Sequence, residues 1–355
     1  MSTNSTDARI TLYNITEIGL YERGGDNSVL GDLSIFLQDL EKWVRFNDKP
    51  LRETCTYASL EDEELNKTFC YDIKKGLNGN YLLITWNKVA SSTNGVSTIS
   101  GSAKVGEANI QVNNYNADEI PGYPTYFWIM PKEKRFATLN FDYAFNGRLD
   151  LHKYLREFFG KWSRYVVSDL DEEGIRQIQH WEDPSDSSTI YSHLYGKFDS
   201  RLIVNPGKIQ YLLNNWKEIR KVHQHNEMSI GDIINVPKIA KIGRMLGLNS
   251  APSKKSGIKF KLEVPVVFNS KEDVQKLIDD WEKNNKTMTK WEDLGFSFQG
   301  DTQKIIWLSE SRANSYFDCP LIKGKNQVFK SNELVEWLDK ITTDILKLEN
   351  KTLND

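Results

Sequence analysis

The chain has 355 residues, 39% hydrophobic and 12% aromatic, which suffices for two or three packed cores and excludes a disordered protein. Its formal net charge is −3, and its three cysteines (Cys55, Cys70, Cys319) are far apart with no CxxC pair, which fits a reduced, cytoplasmic protein and not a disulfide scaffold. No apolar run approaches the roughly eighteen residues of a membrane span, and the opening MSTNSTDAR lacks an apolar signal core, so neither a span nor secretion is expected.

In chain order, a strand is expected over residues 9–19, followed by a turn at Gly24 and Gly25. A helix follows over 33–44, because Leu33, Phe36, Leu37, Leu40 and Val44 recur on one stripe. Residues 47–79 are charged and show no clear period. Residues 81–89 read as a strand, and the Ser/Thr/Gly-rich stretch 90–106 as a long mobile loop. Residues 123–130 and 136–141, joined by a polar turn at 131–135, read as an antiparallel hairpin. A second helix covers 149–162, with Leu151, Leu155, Phe158, Phe159 and Trp162 spaced for burial.

Residues 169–188 are acidic, contain Pro184 and suit a connection between domains. Residues 190–204 read as one long strand or a hairpin. A helix is expected over 206–221, with Ile209, Leu212, Leu213, Trp216 and Ile219 inward, and another from Pro237 to Leu246. Residues 257–268 are strand-like, with Pro265 demanding an edge or a bulge. Ser270 and Asp273 form a capping-box pattern ahead of a helix carrying Val274, Leu277, Ile278 and Trp281. Residues 294–298 and 304–309 form another antiparallel pair. The terminal helix, 332–348, has an apolar stripe with Trp337 exposed at one end, which serves either as a dimer element or as core. Hairpins mixed with crossovers indicate an α+β fold of mainly antiparallel sheets with packed helices, in two to three domains. The expected division is an N-terminal α+β domain at 1–168, a central basic segment at 188–262, and a C-terminal α+β segment at 263–355.

Charge is segregated along the chain. Residues 197–261 carry thirteen Lys and Arg against four Asp and Glu, a local balance of +9 within a chain of −3. Two readings fit: a polyanion-binding face, or a solvated surface whose charges cluster only in sequence. On the helix from Pro237, Lys238, Lys241 and Arg244 flank an apolar stripe of Ile239, Ile242, Met245 and Leu246, so local geometry favours a basic face. Lys254 and Lys255 lie on a Ser/Gly loop tip suited to following phosphates. Together with Lys217, Arg220, Lys221, Lys259 and Lys261 these make ten expected nucleic-acid contacts. Lys132, Lys134, Arg135, Lys161 and Arg164 either extend that surface or are ordinary exposed cations.

Catalytic motifs are scarce. The chain has no P-loop, no Rossmann glycine fingerprint and no GxSxG elbow. His223 and His225 share a metal only if they lie on a strand; after a helix end they cap or face water. No cofactor and no metal is expected. A nuclease or other effector with carboxylates dispersed in sequence stays open, as does a protein-interaction module.

Several short patterns occur in an order that resembles the RexA-like phage exclusion family. They are Leu33-Ser34-Ile35-Phe36-Leu37, Gly122-Tyr123-Pro124-Thr125-Tyr126-Phe127, Ile190-Tyr191-Ser192-His193-Leu194-Tyr195-Gly196, the stretch 305–321, and Asp344-Ile345-Leu346. The matches are short and colinear over most of the chain, none is catalytic, and residues 47–115 exceed the family pattern. The resemblance implies a cytoplasmic, homodimeric anti-phage protein that binds double-stranded DNA with little sequence specificity and senses phage DNA intermediates. It also implies a membrane-protein partner encoded nearby. Kiwa, another two-component defence system, likewise pairs a soluble DNA-binding protein with a membrane protein.

Overall fold

A computed structural model of the chain describes residues 6–57, 67–89, 97–112, 118–141, 147–203, 206–229, 257–284, 293–299, 301–308, 313–321 and 328–350. Among these residues are five α-helices and sixteen strands, every strand pair antiparallel, so the fold is α+β. The chain divides into two compact units, Met1–Ile203 with Ala313–Glu349, and Val204–Arg312 with Asn350–Asp355.

Unit 1 is built on a nine-stranded sheet. Its strands are β1 (Thr6–Tyr21), β2 (Thr68–Lys75), β3 (Tyr81–Lys88), β4 (Ser97–Ser100), β5 (Ile110–Val112), β6 (Glu119–Met130) and β7 (Arg135–Asn140). Later segments add β11 (Tyr195–Leu202) and β16 (Asn314–Cys319). The main order is β11-β1-β7-β6-β3-β2, with β16 also on β1 and β4 on β6. The hairpin expected around residues 131–135 is β6–β7, closed by a Lys134 N–H to Pro131 carbonyl bond of 3.0 Å. The stretch read as a mobile loop over 90–106 contains β4, whose residues pair with both β5 and β6; residues 90–96 lie outside the described residues.

Strand alternation gives the sheet two buried faces. On one, Ile10, Leu12, Leu82, Trp128 and Leu139 pack with Leu334 and Leu338 of the terminal helix, α5 (Ser331–Lys347). Trp337 is 6% exposed and belongs to this core, so the exposed end expected of it is corrected: the sheet covers the stripe. The other face meets α1 (Leu33–Arg45) and α2 (Arg148–Trp162). The Phe36 ring of α1 stacks on Phe159 of α2, which in turn touches Phe198 of β11. Helix α1 starts where Asp32 accepts from the Ser34 and Ile35 amides at 2.8 and 3.4 Å.

This second face changes character along the strands. Across the register, Tyr13, Phe136, Ile129 and Tyr81 form an aromatic and aliphatic row. Four residues further toward the start of β1 the row is polar: Arg9 opposite Asn140, and Thr125 opposite Thr85. Beyond it Asn87 lies opposite Thr68. A chain of hydrogen bonds links this end: Tyr57 Oη to Thr68 Oγ1 (3.2 Å), Thr68 Oγ1 to Asn87 Oδ1 (3.2 Å), Asn87 Nδ2 to Thr125 Oγ1 (3.0 Å), and Thr125 with Thr85 (2.7 Å).

The segment expected to connect domains over 169–188 instead forms most of a three-stranded sheet in the order β10-β9-β8. It comprises β8 (Val166–Leu170), β9 (Arg176–Asp183) and β10 (Asp186–Tyr191). Its acidic residues are turn-formers: the Asp171 carboxylate accepts from the Glu173 and Ile175 amides, and Asp183 from Ser185. The strand or hairpin expected over 190–204 is two strands, β10 and β11, in different sheets. The sequence-derived boundaries at 168 and 262 thus fall inside the two units, because strand pairing across long separations leaves no local mark.

Unit 2 has a four-stranded sheet, order β13-β12-β14-β15, with β12 (Ile219–Ser229), β13 (Gly257–Pro265), β14 (Asp293–Phe298) and β15 (Asp301–Trp307). Pro265 ends the edge strand β13, as its missing donor requires. Helices α3 (Pro206–Asn214) and α4 (Lys271–Asn284) close one face, where Leu212, Val274 and Ile278 pack on Val222, Leu294 and Phe296. The expected capping box starts α4: the Asp273 amide donates to Ser270 Oγ at 3.2 Å and the Ser270 amide to Asp273 Oδ2 at 3.0 Å.

Gly196, within one of the family-like patterns, has a physical role. A Cβ there would overlap the Arg156 carbonyl oxygen of α2, so the helix and β11 approach backbone to backbone. Gly196→Ala is expected to destabilise the protein by about 1–3 kcal/mol, because a backbone carbonyl cannot swing away. An unchanged urea midpoint would show that the close approach is not needed.

Candidate nucleic-acid interface

The helix expected over 206–221 ends at Asn214, which corrects the setting of three predicted contacts. The Asn215 amide and Nδ2 both donate to the Tyr211 carbonyl at 3.0 and 2.8 Å, closing the helix, and a 3-10 turn follows at Trp216–Glu218. Lys217 lies on that turn, with Nζ 5.5 Å from the Trp216 ring centroid. Arg220 and Lys221 are on β12. Lys259 and Lys261 are on β13, in register with Glu227 and His225. The remaining five predicted contacts, Lys238, Lys241, Arg244, Lys254 and Lys255, lie outside the described residues, as does the helix expected from Pro237.

Because Val222 packs toward α3 and α4, its neighbours Lys221 and His223 occupy the opposite face of the sheet. Lys221 forms an ion pair with Glu263 of β13, and this pairing is the main cause of the lowered Glu263 pKa. His223 is buried: Nε2 is 3.0 Å from Ser297 Oγ and Nδ1 is 3.7 Å from Glu263. Lys261 is exposed on this same face. Arg220 donates to the Lys217 and Ile219 carbonyls at 2.7 and 3.1 Å and to Gln299 Oε1, so its guanidinium is held against the chain. The face is therefore of mixed charge, with Glu263 set among the cations. That acid is only two residues from Lys261, but its pairing with Lys221 needed the strand register to be visible.

His223 and His225 do lie on a strand, contrary to the setting expected for them after a helix end. Among the described residues no three His, Cys, Asp or Glu side chains are grouped to hold a metal ion.

The five cations expected to extend the surface lie in unit 1, and three have partners there. Arg164 grips Asp39 with Nε and Nη2 at 2.9 and 2.6 Å, Arg135 pairs with Glu349 at 2.8 Å, and Lys161 with Glu157 at 2.7 Å. Arg164 ties the end of α2 to α1 and Arg135 ties β7 to the turn after α5, whereas the Lys161–Glu157 pair lies within α2.

One arrangement in unit 1 has no local sequence signal: His152 Nε2 lies 2.8 Å from Ser200 Oγ, with Nδ1 3.5 Å from Asp199. These are the atom roles of a serine–histidine–aspartate triad, but the exposure is inverted. Ser200 is 6% exposed and also accepts from Arg148 Nε at 3.0 Å, whereas the Asp199 side chain is 59% exposed. A nucleophile must meet substrate and its aspartate must be shielded, so this is a structural clamp between α2 and β11. The three cysteines form no disulfide, and no described helix is long and apolar enough to cross a membrane. No protein-family model and no curated protein matches this chain.

The clamp makes stability depend on pH. Burial holds the His152 pKa below its ordinary 6.5, opposed by the hydrogen bond to Asp199. The unfolded chain then binds a proton that the folded one does not, so stability is present above pH 6.5 and declines as pH falls toward the folded pKa. Urea midpoints between pH 7.5 and 5 are expected to fall, and His152→Gln to flatten that fall. An equal pH dependence in both proteins would refute the assignment.

Proposed function

We propose that the protein is a cytoplasmic anti-phage defence factor that binds double-stranded DNA with little sequence specificity, chiefly through unit 2. The observation that carries the reading is the separation of charge between the units. Residues 204–312 hold eighteen Lys and Arg against thirteen Asp and Glu, a balance of +5, which leaves −8 on the rest of the chain. Within unit 2, α3 and α4 occupy the apolar face of the sheet, and Lys221 and Lys261 stand on the other. Phosphate contacts need such cations and no base-reading motif. The resemblance to the RexA-like family supports DNA as the polyanion, a homodimer as the assembly, and a membrane protein as the partner. Acidic residues elsewhere suppress indiscriminate adhesion to nucleic acid.

Fluorescence anisotropy with random-sequence duplexes tests this. Binding is expected at low salt, with log K falling linearly in log salt, and Lys261→Ala is expected to reduce the slope by about 0.9 if one phosphate contact is lost. The triple change of Lys238, Lys241 and Arg244 to Glu is expected to abolish binding without unfolding the protein. Glu263→Gln, which releases Lys221 from its ion pair, is expected to tighten binding by about two- to fivefold. Failure of the wild-type protein to bind DNA at low salt would end the proposal.

A further inference from the structure

We propose that two copies of this chain associate through the free edge of β13, side by side and antiparallel, with Leu262 on the two-fold axis. Among the described residues β13 pairs with β12 alone and lies at one end of its sheet. A strand with one neighbour leaves alternate N–H and C=O groups without a ladder partner, and such an edge accepts another strand. This edge is open to solvent: Lys261, Leu262, Glu263, Val264 and Pro265 are all exposed, whichever face of the sheet they point to. Leu262 and Val264, 45% and 39% exposed, share a face with Val222 but lie outside the cover that α3 and α4 give it. Aliphatic side chains at a bare edge are stabilised by a second strand that covers them.

Backbone direction and charge select a second copy as the occupant. The Val266 amide donates to the Arg220 carbonyl at 2.9 Å, which continues the β12–β13 ladder. Bonded residues alternate along an antiparallel pair, so Val264 and Leu262 turn their backbone groups to β12, and Lys261 and Glu263 turn theirs outward. Three antiparallel self-pairings use those outward groups. One centred on Lys261 sets two lysines opposite each other, and one centred on Glu263 sets two glutamates opposite each other. The pairing centred on Leu262 sets Lys261 against Glu263 of the second copy, twice, and Leu262 against Leu262. Opposite charges in facing positions attract and like charges repel, so the strand complements itself in this register and repels itself in the other two. The Glu263 carboxylate, which also holds Lys221 of its own copy, is half exposed and so open to a second cation. A two-fold axis through Leu262 keeps the Lys221 and Lys261 faces of both copies on one side of a continuous sheet. The inference rests on the reading above for the homodimer, and gives that homodimer its interface.

Analytical ultracentrifugation of the full chain at micromolar concentration and low salt, without DNA, reads self-association apart from DNA binding. The wild-type protein is expected to dimerise. Lys261→Glu places a carboxylate opposite Glu263 at both ends of the interface, and Glu263→Lys places an ammonium opposite Lys261. Each variant alone is expected to weaken self-association about ten- to thirtyfold. An equal mixture of the two is expected to dimerise again, because one copy then offers two acids and the other two cations in facing positions. Recovery in the mixture also shows that neither variant lost association by misfolding. A monomeric wild-type protein would overturn the proposal and the homodimer together, and leave DNA binding to its own test. A dimer that persists in either single variant would overturn the β13 interface while leaving the homodimer intact. Variants that stay monomeric when mixed would overturn the pairing centred on Leu262.

Discussion

Unit 1 depends on the backbone ladder of β1. Its sixteen residues pair with β7 along one edge, and with β16 and then β11 along the other. This one strand joins residue 6 to residue 319 and residue 21 to residue 195. The point where the chain leaves unit 1 is closed by the same ladder. The Ala313 amide donates to the Ile203 carbonyl at 2.8 Å, Ile203 to Leu12 at 3.3 Å, and Leu12 to Ala313 at 2.9 Å. Unit 2 is thus inserted between two chain ends that meet at one bridge, a geometry in which an inserted domain leaves the host's core undisturbed.

That arrangement bears on how the charges are used. In unit 1 the arginines next to core elements are consumed by specific acids: Arg164 by Asp39, Arg45 by Asp72 at 2.9 Å, Arg135 by Glu349. Each is a partly buried, charge-assisted contact between elements far apart in sequence, and each fixes geometry more than it adds net stability. In unit 2, Lys221 and Lys261 stand on the sheet face opposite the helices, with Glu263 as a local counter-charge. A surface with excess positive charge and few internal partners attracts polyanions, and an acid within it tempers the attraction.

The face of the unit 1 sheet under α1 and α2 shows the other use of polarity. Its aromatic row packs Phe36, Phe159 and Phe198, but its far end is built from threonine, asparagine and arginine. A buried sheet end of this composition is stable only when its donors and acceptors find one another, as the Tyr57–Thr68–Asn87–Thr125 chain does. Arg9 Nε and Thr138 Oγ1 are two of the atoms left over among the described residues.

Much of the local structure was legible in the sequence. Helices α1, α2, α4 and α5 follow from apolar spacing, and the capping box at Ser270 and Asp273 from its pattern, because both depend on neighbours within one or two turns. The β6–β7 hairpin and Pro265 at a strand end were legible for the same reason. Four features were not: the strand identity of Arg220, Lys221 and His223, the three-stranded sheet over 166–191, the burial of Trp337, and the division into units. Each is decided by pairing or packing between segments tens to hundreds of residues apart. The sequence by itself determined the α+β class, the core stripes of the helices and the excess of cations in one segment, since these need only composition and period. Only the tertiary structure decided which cations are neutralised and which polar atoms are left buried without partners, because ion pairs and hydrogen bonds are set by distance in space and not along the chain.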